Sequence, residues 1–291
     1  MSEQVTGNFM EPKSVAIIGM GLIGGSLALR LRREGLANRI IAVEANPEHA
    51  ATALRMGLAD AALSLDAAIS ESSVVFLATP VDRMVELLPQ VLDQVNQQVV
   101  IDLGSTKGQL MDAVRMHARR GRYVAAHPMW GTEYSGPQAA VDNAFQDKAV
   151  ILCNLEASDA DAADWSRFLF ARIGMHIIEM DAIDHDLHAA YVSHISHITS
   201  FALANTVLEK EKEDNAIFEL ASAGFESTVR LAKSNPAMWV PIFRQNRENV
   251  LDVLNEHISQ LRKFKSCLEK ENWDYLGELI ADANKIRRIL K

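Results

Sequence analysis

SVAIIGMGLIGGSLALRLRR, residues 14–33, runs from a short apolar segment through Gly19-Met20-Gly21-Leu22-Ile23-Gly24 into a helical pattern. A G-x-G-x-x-G alone is a weak signal, because glycines also serve ordinary turns. Here it lies between a strand pattern and a helix pattern, and a second strand pattern, RIIAVE at 39–44, ends on the acidic Glu44. That context points to a dinucleotide-binding βαβ unit. Gly19 permits the tight turn, Gly21 lets the backbone approach a pyrophosphate, and Gly24 lets helix and strand pack closely. The helix N-terminus then faces the anion with free N–H groups. Leu22 and Ile23, between the second and third glycines, belong to the same cofactor loop. Glu44 is placed to accept hydrogen bonds from the adenosine ribose hydroxyls. Its charge repels a 2′-phosphate, so the expected cofactor is NAD rather than NADP.

Outward from this unit, β-branched runs at 73–79, 98–104, 123–127, 149–153 and 176–180 alternate with helical patterns. Most are apolar without alternation, as strands covered on both faces are. The fold class is therefore α/β: an N-terminal Rossmann-type, doubly wound parallel sheet over residues 1–180, then an all-helical C-terminal domain over 181–291 for substrate binding and dimerisation. One long helix is expected from Asp184 to about Lys212, buried through residues 195–208. Another opens at the Asn235-Pro236 cap and continues through Arg262, and a final amphipathic helix is capped by Asn272 and continues through Leu290. Long apolar helical faces are often buried against a second copy, so a homodimer is expected.

The 291 residues carry 29 basic and 38 acidic side chains, a net charge of −9. That argues against a chain holding phosphate backbones by bulk positive charge, so nucleic acid is not an expected partner. Cys153 and Cys267 lie far apart and outside any C-x-x-C spacing, which suggests neither a disulfide framework nor a thiolate metal site. No stretch approaches the ~20 apolar residues that span a bilayer, and the first residues lack the cationic-then-apolar order of a leader. A cytoplasmic protein acting on a small molecule, away from membranes, is expected.

In open sheets of this type ligands bind outside the carboxyl ends of the strands. Three segments end there: Ala78-Thr79-Pro80-Val81, Gly104-Ser105-Thr106-Lys107-Gly108 and His127-Pro128. Thr79 and Pro80 join the cofactor set beside the nicotinamide. Each segment also reads as ordinary loop chemistry, with Ser105 or Thr106 capping the next helix. His127 ends an apolar run, and Pro128 biases it toward an extended backbone. Taken alone it reads more readily as a core imidazole than as a catalyst. In the helical half, DHDLHAAYVSHISHI (184–198) holds four histidines. At 100° per residue His188 and His197 point to opposite sides and cannot share one ion, so no metal is expected. His194 and His197, three apart, share a face and could line one pocket, or could be buried imidazoles bonded to carbonyls. Arg230 sits among apolar neighbours and needs an anionic partner, from the protein or from a substrate.

Together, the glycine loop, G-S-T-K-G at 104–108, H-P-M-W-G-T-E-Y-S-G at 127–136, the D-H-D…S-H-I-S-H helix and R-L-A-K-S-N-P-A-M-W at 230–239 resemble the prephenate dehydrogenase family, over nearly the whole chain from about Ser14. The resemblance implies oxidative decarboxylation of prephenate to 4-hydroxyphenylpyruvate in tyrosine biosynthesis with NAD or NADP; some members prefer arogenate. It implies that His127 is the catalytic histidine, that Ser105 assists it, and that His197 and Arg230 hold the substrate. Thr132, His194 and Trp239 match positions near the substrate, with Trp239 supplied by the same chain or by a partner subunit. Ser227 and Val229 stand where members often carry an acidic residue and a threonine, and Trp130 stands where they carry phenylalanine or something smaller. Two rival readings remain. Dehydrogenases of the β-hydroxyacid and 6-phosphogluconate type use a lysine on the first long helix of the second domain, and residues 184–208 contain none. A non-catalytic dinucleotide sensor would require neither the strand-edge histidine nor the histidine and arginine of the helical half.

Overall fold

The computed structural model describes residues 11–212 and 215–289. Strand β1 (Lys13–Ile18) leads through the glycine loop into helix α1 (Leu22–Arg33). This turn requires glycine at two places. Gly19 has φ of 96°, and a Cβ there would lie 2.7 Å from the Ala78 carbonyl oxygen; a Cβ on Gly24 would lie 2.0 Å from the Gly19 carbonyl oxygen.

The remaining strands are β2 (Ala37–Val43), β3 (Ala61–Ala62), β4 (Val74–Leu77), β5 (Val99–Asp102), β6 (Tyr123–Pro128), β7 (Ala149–Cys153) and β8 (His176–Met180). Helices α2 (Pro47–Arg55), α3 (Leu65–Ser70), α4 (Val81–Gln94), α5 (Gly108–Val114) and α6 (Ala160–Arg172) connect them. The sheet order is β3-β2-β1-β4-β5-β6-β7-β8, the doubly wound pattern extended by two strands. Both faces are covered. Val15, Ile17, Phe76 and Ile101 enter one buried cluster, while Ala16, Ile18, Val75 and Leu77 enter the other. Successive residues point to opposite faces, so a strand buried on both reads as an unbroken apolar run.

Two details differ from the sequence reading. β3, only two residues long, carries too little pattern to be seen. β7 pairs antiparallel to β6, whereas the other pairings are parallel. A parallel return needs a crossover, and residues 129–148 form no α-helix, only a 3-10 turn at Pro137–Ala139.

After β8 the chain is helical: α7 (Ala182–Ala189), α8 (Ile195–Glu211), α9 (Ala223–Val229), α10 (Pro236–Gln245), α11 (Arg247–Glu269) and α12 (Trp273–Ala283). The single long helix expected from Asp184 is interrupted by a π-turn, Ala190–His194. Nor is it buried as expected: within α8 only Ser200 is fully buried, and Leu208 is exposed, as are Tyr191 and Val192 of the π-turn. Asn235 caps α10 by accepting the Ala237 N–H, but the helix expected through Arg262 breaks at Asn246, where ψ reaches 29°. Asn272 caps α12 through the Tyr275 N–H, and a 3-10 turn at Asn284–Arg288 follows. Leu290, the expected end of that helix, lies outside the described residues.

The described residues up to Asn246 form one compact unit, and those from Arg247 onward form a second. The last strand ends at Met180, and the helices from α7 to α10 belong to the same compact unit as the sheet.

Candidate active site

Strand order reverses between β1 and β4, and β1, β2 and β4 end level, with Ile18 opposite Val43 and Leu77. The crevice outside these ends is where a dinucleotide is bound in sheets of this order. Gly21 is the N-cap of α1 and gives it no side-chain cap, and the first turn carries no acidic residue. A Cβ on Gly21 would meet no atom within 4 Å, so the space before the Leu22 and Ile23 N–H groups is open to an anion. Glu44 follows β2 and is fixed by the loop itself. Its Oε2 accepts the Met20 N–H at 2.8 Å and its Oε1 the Asn46 N–H at 3.0 Å. Asn46 in turn caps α2. The Thr79 hydroxyl is buried with no hydrogen-bond partner among the described residues, and Pro80 is the exposed N-cap of α4. An open helix N-terminus, a fixed carboxylate after β2 and an unpaired buried hydroxyl all suit a dinucleotide.

His127 lies near the end of β6, paired across the sheet with Ile151. Its Nδ1 stands 2.8 Å from His185 Nε2, with the two rings edge to face, 5.0 Å apart. His185 Nδ1 lies 2.8 Å from Asp186 Oδ1. The Asp186 carboxylate also accepts the Lys107 N–H at 2.8 Å and the Gly108 N–H at 2.9 Å, which fastens α7 to the loop after β5. Beneath that loop Asp102 accepts the Gly104 N–H and the Tyr123 hydroxyl, both at 2.7 Å, and pairs with the buried Lys107 ammonium. Burial and the neighbouring Asp102 push the Tyr123 phenol well above its ordinary value. Part of the His127 residue reaches the solvent surface, yet the packing around its ring disfavours the charged form. Burial, with the charges of His185, Lys107 and His194, holds its pKa well below 6.5. Ser105 is partly exposed on the same loop; among the described residues no hydrogen bond links it to His127, whose Nδ1 meets His185 instead. Thr106 takes the structural role, donating to Gln245 Oε1 at 2.6 Å.

The helical half meets this edge through Asn246. Its Nδ2 donates to the Asp186 carbonyl at 2.6 Å and lies 3.1 Å from His194 Nδ1. His194 is buried, and burial brings its pKa down to about 4. Trp239 stacks on His197 of its own chain with centroids 3.5 Å apart and meets His194 edge to face at 6.0 Å. It packs with Val81 and Ile242, and its indole N–H is buried without a partner among the described residues. His197 Nδ1 lies 3.0 Å from the Ser193 carbonyl; burial lowers its pKa, that carbonyl opposes the shift, and the Arg230 charge adds to it. Arg230 is about half exposed rather than enclosed, and its guanidinium lies 3.1 Å from Glu133. The Glu133 backbone N–H and the Arg230 charge hold that carboxyl below the usual range. Thr132, beside Glu133, accepts the Tyr134 N–H at 3.3 Å.

The candidate residues thus form a connected series, His127, His185, Asp186, Asn246, His194, Trp239 and His197, with the Arg230 charge acting on His197 and its partner Glu133 on the loop after His127. The sequence reading named both ends of this series and missed the middle. His185, Asp186 and Asn246 join positions 52 to 60 residues apart. The one local signal was a D-H-D at the start of an otherwise apolar helix. Trp130 is accounted for by packing: it meets Phe145 edge to face at 6.0 Å and lines one face of the sheet core.

Two family models match successive parts of the chain. "Prephenate dehydrogenase, nucleotide-binding domain" covers residues 27–179, and "Prephenate dehydrogenase, dimerization domain" covers 181–282. The chain is 30% identical to prephenate dehydrogenase of Bacillus subtilis (strain 168), over 94% of this chain and 75% of that protein. It is 31% identical to cyclohexadienyl dehydrogenase of Zymomonas mobilis, over 96% of both. Among solved structures, prephenate dehydrogenase from A. aeolicus in complex with hydroxyphenyl propionate and NAD+ aligns with a TM-score of 0.88 at 29% identity, covering 96% of this chain and 98% of that one.

Proposed function

This chain belongs to the prephenate dehydrogenase family, and from that premise we propose how its own residues perform the reaction it catalyses, oxidative decarboxylation of prephenate to 4-hydroxyphenylpyruvate in tyrosine biosynthesis. Prephenate carries a hydroxyl at C4 of a cyclohexadiene ring, with a carboxylate and a pyruvyl group on the opposite carbon. Bound NAD supplies the hydride acceptor for C4, and loss of the ring carboxylate as carbon dioxide leaves an aromatic ring, which drives the reaction.

Gly19, Gly21, Leu22, Ile23, Gly24, Glu44, Thr79 and Pro80 hold the cofactor, and the Glu44 charge disfavours NADP. His127, kept neutral by its surroundings, accepts the C4 hydroxyl proton, and Ser105, on the loop after β5, assists once substrate is bound. Arg230 and His197 receive the two carboxylates; a guanidinium matches a carboxylate in bidentate geometry, so substrate and Glu133 share Arg230. Thr132, His194 and Trp239 line the same pocket, where the buried indole N–H of Trp239 offers one further donor. The observation that carries this reading is the His127–His185 contact, which joins the nucleotide edge of the sheet to the helical half that holds the anion-binding groups.

Arogenate differs by an ammonium in place of the side-chain keto group. Measuring kcat/KM for both substrates, each with NAD and NADP, tests the assignment: prephenate with NAD is expected to be the best pair. Turnover with neither substrate would leave a dinucleotide-binding protein without this activity.

We further assign the active form as a homodimer built through the helical half, boundaries 1–180 and 181–291 marking the nucleotide-binding and the substrate-binding, dimerising parts. Support comes from apolar side chains left exposed on helices and helix ends, including Val192, Leu208, Leu261, Trp273 and Ile280. No helix of the described residues is long and apolar enough to cross a membrane. The working location is the cytoplasm, where the free cysteines, both buried, stay reduced.

A further inference from the structure

We propose that His185 and Asp186 are positioning residues that set the tautomer of His127: Asp186 orders His185, His185 accepts the Nδ1–H of His127, and the lone pair left on His127 Nε2 is the base. The inference rests on the reading above that His127 accepts the substrate proton.

The hydrogen-bond partners of the three groups fix where each proton sits. Both Asp186 oxygens face donors, Oδ1 the Lys107 N–H and Oδ2 the Gly108 N–H, so the group is held as an ionised acceptor. His185 Nδ1, 2.8 Å from Oδ1, therefore carries a proton and donates it. A neutral His185 then has a bare Nε2. That nitrogen lies 2.8 Å from His127 Nδ1, and a contact this short between two ring nitrogens needs one proton between them. The proton belongs to His127, whose Nε2 is left unprotonated. His185 is almost fully buried, and Asn246 pins the Asp186 carbonyl from the other side, so the three groups are held in one geometry. The charged or titratable groups facing the chain are Lys107 from the loop after β5 and His194 from the π-turn.

The proton step balances without any further reagent. The substrate O–H bond breaks, an N–H bond forms at His127 Nε2, and the resulting imidazolium already donates its Nδ1–H to His185. The positive charge is then drawn toward the Asp186 carboxylate through two hydrogen bonds, as in other relays of an acid, an imidazole and a reacting group.

The test uses the full-length protein with 15N-labelled histidine, the His127 signals being assigned by their loss in His127→Asn. In the wild-type protein His127 Nε2 is expected to resonate as an unprotonated nitrogen and Nδ1 as a protonated one. His185→Gln leaves a carbonyl oxygen to accept the Nδ1–H, and it should keep kcat with prephenate and NAD within about tenfold and retain that tautomer. His185→Phe removes the acceptor and should lower kcat by roughly 10²-fold or more, with both KM values little changed and the tautomer signature lost. A protonated Nε2 in the wild-type protein, or a His185→Phe enzyme with wild-type kcat, overturns the relay. Should His185→Phe fail to fold, the wild-type tautomer and the His185→Gln rates still decide. Absence of turnover in the wild-type protein would instead remove the reading of function, leaving the tautomer measurement to stand by itself.

Discussion

At the scale of single residues, the chemistry depends on which groups stay neutral. His127 works as a base only when deprotonated, so activity rises as pH climbs past its pKa. Burial first, then the charges of His185, Lys107 and His194, depress that pKa, so the acid limb of log kcat/KM should bend well below 6.5. A profile bending near 6.5 would show that His127 titrates as an ordinary imidazole. Arg230 has a different task. Because it is about half exposed, its truncation empties no buried site, and the Glu133 carboxylate left behind keeps its backbone N–H and the nearby Lys233 charge. Arg230→Ala should therefore fold normally and raise the prephenate KM by roughly 10–100-fold, as loss of a charged hydrogen-bonding partner does, with a smaller effect on kcat. Steady-state kinetics across a prephenate range separates the two parameters; an unchanged KM would place the substrate carboxylates elsewhere.

At the scale of elements, legibility followed the range of the interactions. β1, β4 and β5 announced themselves because both faces are buried and each carries an unbroken apolar run, at 15–18, 74–77 and 99–101, and the glycine loop because its geometry excludes a Cβ at Gly19 and Gly24. The π-turn at Ala190–His194 was invisible, since one wider turn alters the phase of a helix without altering its composition. It matters for the site, because it rotates His194 away from the position a continuous helix would give it relative to His185. The Asp102–Lys107–Tyr123 cluster and the Asp186 bonds were equally hidden: they join segments that only the folded sheet brings together. The glycine loop offers a contrast that tests its two roles. Gly24→Ala places a Cβ 2.0 Å from a backbone oxygen and should destabilise the fold, whereas Gly21→Ala meets nothing within 4 Å. The Gly21 variant should keep its thermal midpoint and lose NAD affinity, by calorimetry, because the new methyl occupies the approach to the helix N-terminus. Undiminished NAD binding in that variant would place the pyrophosphate elsewhere.

At the scale of the whole molecule, the exposed apolar side chains of the helical half are the main feature that a single chain leaves without explanation. Sedimentation or light scattering at micromolar concentration should give twice the 32.1 kDa chain mass, and a monomer there would contradict assembly through this half. The net charge of −9 makes the local arrangement around Arg230 more telling, since the field of the whole protein repels a dianionic substrate and only specific contacts can hold it. The sheet contributes the nucleotide crevice and one histidine; the helices contribute the anion-binding groups and the contacts that order that histidine. The account stands on these halves forming one catalytic site. The most direct test is the steady-state rate of NADH formation from prephenate by His127→Asn beside the wild-type protein. The account predicts a kcat lower by about 10²–10⁴-fold with the prephenate KM little changed. A variant turning over at the wild-type rate would contradict it.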